Sequence, residues 1–132
     1  MKITTTVLFI LFLLPSLRAQ DELEVKMGDS TYTIKKYFLC FLKTGPDRTH
    51  DSLTAAKIQE GHLKHLNKLA SDGVISIAGP FASKDEFRGI IIFNTKTKEE
   101  AERYESEDPA VKSGRLIMEI REWWSMKGAR LN

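Results

Sequence analysis

The sequence predicts an α+β domain with a four-stranded antiparallel sheet and two helices, and three observations lead to this prediction. Four short apolar runs alternate with two helical segments in the order β-α-β-β-α-β. Turn signals of glycine, proline and aspartate separate the segments. The chain has 132 residues, of which 42% are apolar and 29% charged, as expected for one soluble domain. The order is that of the ferredoxin-like arrangement, in which both helices cover one face of the sheet.

The first predicted core strand follows a polar N-terminal part. Residues 20–36 are expected to form an extension or a hairpin, because Gly28 lies in a turn signal between two short segments. Residues 37–42 form a continuous apolar run that ends before Gly45 and Pro46. A short apolar run bounded by turn residues predicts a strand that is buried on both faces.

The first helix and the second strand come next. Residues 52–72 lack proline and lie between a capping residue, Asp51 or Ser52, and Gly73. These signals predict a helix of about five turns. Residues 74–78 are predicted to form the second strand, which is expected to end before Gly79 and Pro80.

The second half of the domain repeats the pattern. Residues 89–93 and 116–121 are predicted to be the third and fourth strands. Between them, Thr97 and Glu100 have the spacing of a capping box. The second helix is expected to run from there to about Glu107.

The predicted sheet has an apolar face that the two helices leave uncovered. Strands 37–42 and 90–93 are apolar on both sides, whereas the helices cover only one side. An exposed apolar face of this size is unusual for a monomer. We therefore expect a homodimer packed through this sheet face. The alternative is that the N-terminal hairpin folds over the same face.

Residues 1–19 have the features of a secretory signal peptide. Lys2 gives a positive start, residues 7–14 are apolar, and Ala19 is suited to cleavage. The apolar run is too short to cross a bilayer as a helix, although an uncleaved membrane anchor is the alternative. We expect a secreted or periplasmic protein that makes no stable membrane association after cleavage.

The mature chain is then divided into the extension of residues 20–36, a domain over 37–126 and a C-terminal tail over 127–132. The whole chain has 20 basic and 18 acidic residues, and removal of Lys2 and Arg18 leaves 18 of each. A neutral chain without a basic run lacks the electrostatic signature of nucleic-acid binding. The single cysteine, Cys40, excludes an internal disulfide.

The first helix carries a histidine on its apolar face. At 100° per residue, one arc of about 160° contains seven apolar residues: Ala55, Ala56, Ile58, Leu63, Leu66, Leu69 and Ala70. His62 lies within this arc, where burial disfavours the charged imidazolium. Such a ring needs a hydrogen-bond partner. The partner is either a catalytic group or a backbone carbonyl that makes His62 a structural core residue.

Asp108 is a candidate partner for His62. Ala101, Tyr104 and Asp108 are spaced i, i+3, i+7 and share the inward face of the second helix. A carboxylate at a helix C-terminus opposes the helix dipole, and such a violation is more common at functional sites. The alternative is structural, because Asp108 followed by Pro109 also has the pattern of an N-cap and first residue of a short helical turn.

A metal site is not expected from the sequence. His62 and His65 are three residues apart on one helix, but no third ligand follows at a recognisable spacing. We expect neither a metal nor a cofactor.

Several motifs over residues 37–124 together resemble the YCII-related family. They are His62-Leu63-x-x-Leu66, Ala78-Gly79-Pro80-Phe81, Ala101, Asp108-Pro109-x-Val111-x-x-Gly114 and Met118-Glu119-Ile120-Arg121-Glu122-Trp123. The resemblance implies a ferredoxin-like domain that dimerises into an α+β barrel. It also implies an active site in a cleft, whose catalytic histidine and aspartate correspond to His62 and Asp108.

Three functions are compatible with the sequence. The first is a cofactor-free enzyme in which Asp108 holds one ring nitrogen of His62 and the other acts as general acid or base on a small molecule. The second is a non-catalytic module that binds a small ligand in the same cleft. The third is a structural dimer in which the pair only joins the two helices.

Overall fold

The computed structural model describes residues 21–131. The predicted signal peptide of residues 1–19, with its alternative as a membrane anchor, lies outside this range. No helix within the described range has both the length and the apolar character needed to span a membrane.

The fold is α+β, with a five-stranded antiparallel sheet and three helices in the described residues. In chain order the elements are β1 Glu22–Met27, β2 Ser30–Thr44, α1 Ser52–Ser71, β3 Ile75–Pro80, β4 Phe87–Phe93, α2 Lys98–Ser106, α3 Pro109–Lys112 and β5 Leu116–Met126.

Strand β2 is the centre of the sheet. It pairs with β4 through residues 38–43 and with β5 through residues 34–44, while β3 extends the sheet beyond β4. Ile34 is aligned with Leu23 of β1 and with Met126 of β5. Strands β1 and β5 therefore lie on opposite edges of β2.

The N-terminal hairpin lies within the sheet. Gly28, at a φ of 60°, forms the turn that pairs β1 with the first part of β2. The first core strand is therefore continuous from residue 30 to 44, rather than limited to 37–42. Because β1 hydrogen-bonds to the edge of β2, the hairpin does not cover the sheet face, which contradicts the alternative that it folds over that face.

The core lies on one side of β2. Phe38, Cys40 and Leu42 are buried together with Leu69 of α1 and Ala101 of α2. Alternate residues of a strand point to opposite faces, so both helices cover the same face. The intervening residues 37, 39 and 41 are only half buried, which corrects the prediction that this strand is buried on both faces.

The helix boundaries follow from local hydrogen bonds. Asp51, rather than Ser52, is the N-cap of α1, and its Oδ1 accepts from the Thr54 N–H at 2.8 Å. At α2, the Thr97 Oγ1 accepts from the Glu100 N–H at 3.1 Å. These caps satisfy N–H groups that have no partner inside the helix.

The strands are longer than predicted. Pro80 was expected to lie beyond the second strand but is aligned with Gly89 as the last residue of β3. Proline is tolerated there because β3 is an edge strand. Strand β5 continues from Leu116 to Met126, because the extended β2 offers a partner along its whole length.

Candidate functional site

Helix α1 brings His62 against α3. His62 is 8% exposed, and the neighbouring residue of α1 is Gly61. A Cβ atom at this position would lie 3.0 Å from the Pro109 Cγ. The absence of a side chain at Gly61 therefore lets α1 approach α3 closely, next to the residue that carries the imidazole.

Asp108 lies between α2 and α3, with both carboxylate oxygens in use. It is fully buried and is the N-cap of α3, where its Oδ1 accepts from the Ala110 N–H at 2.7 Å. Its Oδ2 lies 2.5 Å from the His62 Nδ1. The aspartate lies beyond Ser106, the last residue of α2, which corrects the prediction that it belongs to the inward face of that helix. The capping role and the contact with His62 coexist.

The Asp108 carboxyl group is held in its charged form. Burial alone would raise its pKa, but the hydrogen bonds from His62 and from the Ala110 N–H outweigh burial and lower the pKa below its ordinary value. An ionised carboxylate only accepts hydrogen bonds. The His62 Nδ1 is therefore the donor to Asp108, and its Nε2 is the nitrogen left for a ligand.

A second buried carboxyl group, which the sequence analysis missed, lies beside this pair. Glu105 on α2 is fully buried, and neither of its Oε atoms has a hydrogen-bond partner among the described residues. Burial, together with the charge of Asp108, raises the pKa of Glu105 to about 9. At neutral pH Glu105 is therefore uncharged, and the negative charge resides on Asp108.

An open cleft of about 480 Å³ reaches His62. It lies between α1, β3 and the first part of β4, and Gly79 and Pro80 form part of its wall. The predicted apolar arc of α1 is not wholly buried, because Leu63 is 51% exposed and also lines the cleft. Part of the apolar face of α1 thus lines a binding space instead of the core.

The other candidates from the sequence lie outside the cleft. The His65 Nε2 donates to the backbone carbonyl of Tyr104 at 3.0 Å, so this ring joins α1 to α2. The Cys40 thiol is fully buried, and burial raises its pKa, which keeps it protonated and unreactive. Within residues 21–131, no group of three or more His, Cys, Asp or Glu side chains has an arrangement that could hold a metal ion.

Comparison with known proteins identifies the family. The family model of the YCII-related domain matches residues 37–124. The chain belongs to the YCII-related domain family. The matched region begins inside β2 and ends inside β5, so the YCII domain includes α1, α3 and the cleft, whereas the β1 hairpin lies before it.

A solved structure shares the fold of this YCII domain. It is the 5-chloro-2-hydroxyhydroquinone dehydrochlorinase from Burkholderia phenoliruptrix AC1100, in complex with 2,5-dihydroxybenzoquinone. The two chains are 23% identical, with a TM-score of 0.51, and the match covers 66% of this chain and 92% of the other. No curated protein is significantly similar to the chain.

Proposed function

We propose that this YCII domain is a cofactor-free enzyme that acts on a small molecule, with His62 as general acid and base. One observation carries the proposal. His62 lines an open cleft while its Nδ1 is fixed at 2.5 Å by the buried Asp108. A ring held by an ionised carboxylate presents a defined nitrogen to a bound substrate.

In the proposed mechanism, the His62 Nε2 takes a proton from an activated C–H or O–H group of the substrate. Asp108 is the positioning residue, which orients the ring and stabilises the imidazolium that forms. The proton then returns to another atom of the substrate in an isomerisation, or passes to solvent while a leaving group departs as an anion in an elimination. General acid–base catalysis contributes roughly 10²–10⁴-fold, which suits activated substrates.

The substrate of the structural neighbour offers a first probe. Dehydrochlorination of 5-chloro-2-hydroxyhydroquinone removes a proton and a chloride ion, which is an elimination of the proposed type. We expect release of chloride from this compound, or from a related activated halide, when it is incubated with the protein.

Three variants test the roles of the two residues. His62→Gln and Asp108→Asn are expected to lower the rate by about 10²-fold or more, while their circular dichroism spectra remain those of the folded protein. His65→Gln is the matched control, because His65 lies on the same helix and bonds only to a backbone carbonyl. Full activity in both His62→Gln and Asp108→Asn would contradict the mechanism.

A second candidate, a non-catalytic ligand-binding module, is supported by the size of the cleft alone. This module would bind 2,5-dihydroxybenzoquinone and shift the NMR resonances of the His62 ring, but no product would form from any activated substrate. Binding without turnover would therefore favour this alternative.

We also propose that the domain has the ferredoxin-like arrangement, formed by strands β3, β4, β2 and β5 with helices α1 and α2. In addition, we propose that a second copy covers the outer face of the sheet, the face opposite the helices, to give a dimeric α+β barrel. The strand order supports the first part. The half-buried outer residues Leu39 and Phe41 and the exposed Phe87 and Trp123 support the second, because apolar surface of this kind favours association.

Finally, we propose that the protein is exported, on the basis of the signal pattern in residues 1–19. Expression in a bacterial host is expected to yield protein outside the cytoplasm that begins near Gln20, as read by N-terminal sequencing. Recovery of the chain only in the cytoplasm, with Met1 retained, would contradict export.

A further inference from the structure

The charged residues that line the cleft are all of one sign. Arg48, Arg88 and Arg115 line it together with His62, whereas none of its described lining residues is an aspartate, a glutamate or a lysine. The chain as a whole has nearly equal numbers of acidic and basic residues. This concentration of arginine residues around one hollow is therefore a local feature of the cleft.

Two of the arginines are held together by backbone hydrogen bonds between the end of β2 and the start of β5. The Gly45 N–H donates to the Arg115 carbonyl at 2.9 Å, and the Asp47 N–H donates to the Gly114 carbonyl at 3.1 Å. In addition, the Arg48 Nη1 donates to the Arg115 carbonyl at 3.0 Å. Arg48 and Arg115 are thus fixed on adjacent segments of chain, although they are far apart in the sequence.

The third arginine, Arg88, lies at an irregularity in the pairing of β4 with β2. Leu42 is aligned with Gly89 and Lys43 with Phe87, so Arg88 is an extra residue in the ladder. A bulge of this kind changes the direction of a side chain and is common beside functional sites. The Arg88 carbonyl accepts from the Phe81 N–H at 2.9 Å, which fixes the backbone of the bulge.

The Asp47 carboxylate lies beside Gly114, but it forms an ion pair with none of the three arginines. Among residues 21–131, Arg48, Arg88 and Arg115 form no ion pair, whereas Arg103 and Arg121 pair with Glu100 and Glu119. Like charges gathered in one cavity repel each other. An anion bound between them would relieve this repulsion, and the planar guanidinium group matches a carboxylate with two parallel hydrogen bonds.

We infer that the cleft takes a small organic anion, a carboxylate on an apolar body about the size of one ring. The three arginines bind the carboxylate, and the apolar body packs against lining residues such as Ile58, Leu66 and Ile77. Pockets of this volume suit small molecules. The inference rests on the proposed function, because it assigns a substrate class to the same site.

Isothermal titration with benzoate and benzamide tests the inference without the need for any variant. The two compounds have the same shape, but only benzoate is charged. We expect benzoate to bind and benzamide to bind at least tenfold more weakly, since a hydrogen-bonded charge is worth about tenfold or more in affinity. We also expect the affinity for benzoate to fall with added salt.

Variants locate the site. Arg88→Gln and Arg115→Gln are each expected to weaken benzoate binding about tenfold or more. Arg103→Gln, on the exposed surface of α2, is the matched control and should bind benzoate as the wild type does. Equal affinity for benzamide and benzoate, no binding of either, or equal binding by the Arg88→Gln and wild-type proteins would each overturn the inference. Inorganic phosphate that binds as tightly as benzoate would overturn its assignment to an organic carboxylate.

The outcomes separate this inference from the proposed function. Benzoate binding without turnover of any activated substrate would remove the enzyme proposal and leave the anion site in place. Turnover of a neutral substrate that depends on His62, without benzoate binding, would support the enzyme proposal and overturn the anion site.

Discussion

Glu105 is a carboxyl group in the core beside a second, charged carboxylate. Its pKa of about 9 lies above its ordinary value of 4.5. Between these two pH values the folded protein binds more protons than the unfolded chain. The contribution of Glu105 to stability is therefore fully present below pH 4.5 and is lost as pH rises towards and through about 9.

We predict that Glu105→Gln makes the free energy of unfolding less dependent on pH. The wild-type protein should lose stability relative to the variant as pH rises from about 5 to about 9, because Glu105 ionises in the unfolded chain over this range but stays protonated in the folded protein. Urea unfolding at several pH values measures this difference. Glu99→Gln, on the exposed part of the same helix, is the control, and its free energy of unfolding should change with pH as that of the wild type does. If the free energies of unfolding of Glu105→Gln and wild type changed with pH in parallel, Glu105 would not be the group responsible.

The residues of the site differ in how far the sequence could predict them. Helical periodicity placed His62 on an inward surface, and the dipeptide Asp108-Pro109 indicated an N-cap, which Asp108 is in the structure. The structure brings the two side chains together. Glu105 also shares the inward face, four residues after Ala101, but glutamates are seldom buried without a partner. The cleft arginines are separated by 40 and 27 residues in the sequence. Only the strand pairing and the bulge bring them together, and no local pattern predicts either.

At the scale of elements, the junction between the end of β2 and the start of β5 holds Arg48 and Arg115, which line the cleft. Gly45 lies against this junction, where a Cβ atom would be 2.1 Å from the Gly114 carbonyl oxygen. Real Cβ atoms do not approach a backbone atom so closely, so a side chain here would push the two segments apart.

We predict that Gly45→Ala destabilises the protein by about 1–3 kcal/mol, the usual cost of overpacking, and weakens benzoate binding because Arg48 and Arg115 move apart. Gly79→Ala is the matched control for stability only, since a Cβ atom there has nothing within 4 Å but the residue lines the cleft. Arg103→Gln is the control for binding. Thermal unfolding of the two glycine variants measures the first effect, and titration of Gly45→Ala and Arg103→Gln with benzoate measures the second. A Gly45→Ala protein as stable as the Gly79→Ala protein would refute the prediction.

Element order was easier to predict than element length. The two main helices start at caps that are visible in the sequence, Asp51 and Thr97, because capping is a local interaction. The end of a strand depends instead on how far its partner extends. Strand β2 begins at residue 30 because β1 pairs with it, and β5 reaches Met126 because β2 is long enough to pair with it.

For the whole molecule, the question is what covers the outer face of the sheet. Phe41 and Phe87 pack edge to face there, with ring centroids 5.7 Å apart, and Lys43 bonds to Glu119 at 2.7 Å. An apolar centre with charged groups at its margin is typical of protein interfaces. The N-terminal hairpin, which lies in the plane of the sheet, leaves this face open to a second copy.

We predict that the wild-type protein sediments as a dimer and that Leu39→Glu sediments as a monomer, because a charge at the centre of an interface is costly to bury. Leu53→Glu, on the exposed start of α1, should remain dimeric. Analytical ultracentrifugation distinguishes the two states, and circular dichroism verifies that both variants are folded. A monomeric wild-type protein would rule out the barrel.

The fifteen-residue strand β2 also has a consequence for the order of folding. Its first part pairs with the adjacent strand β1 across a short turn, whereas residues 34–44 pair with β5, which follows β2 only after two other strands and three helices. Contacts between segments close in the chain form faster than contacts between distant segments. The β1 hairpin is therefore expected to form before β5 pairs with β2. Until then one edge of β2 has unpaired backbone groups, and such an edge is a template for aggregation with another chain.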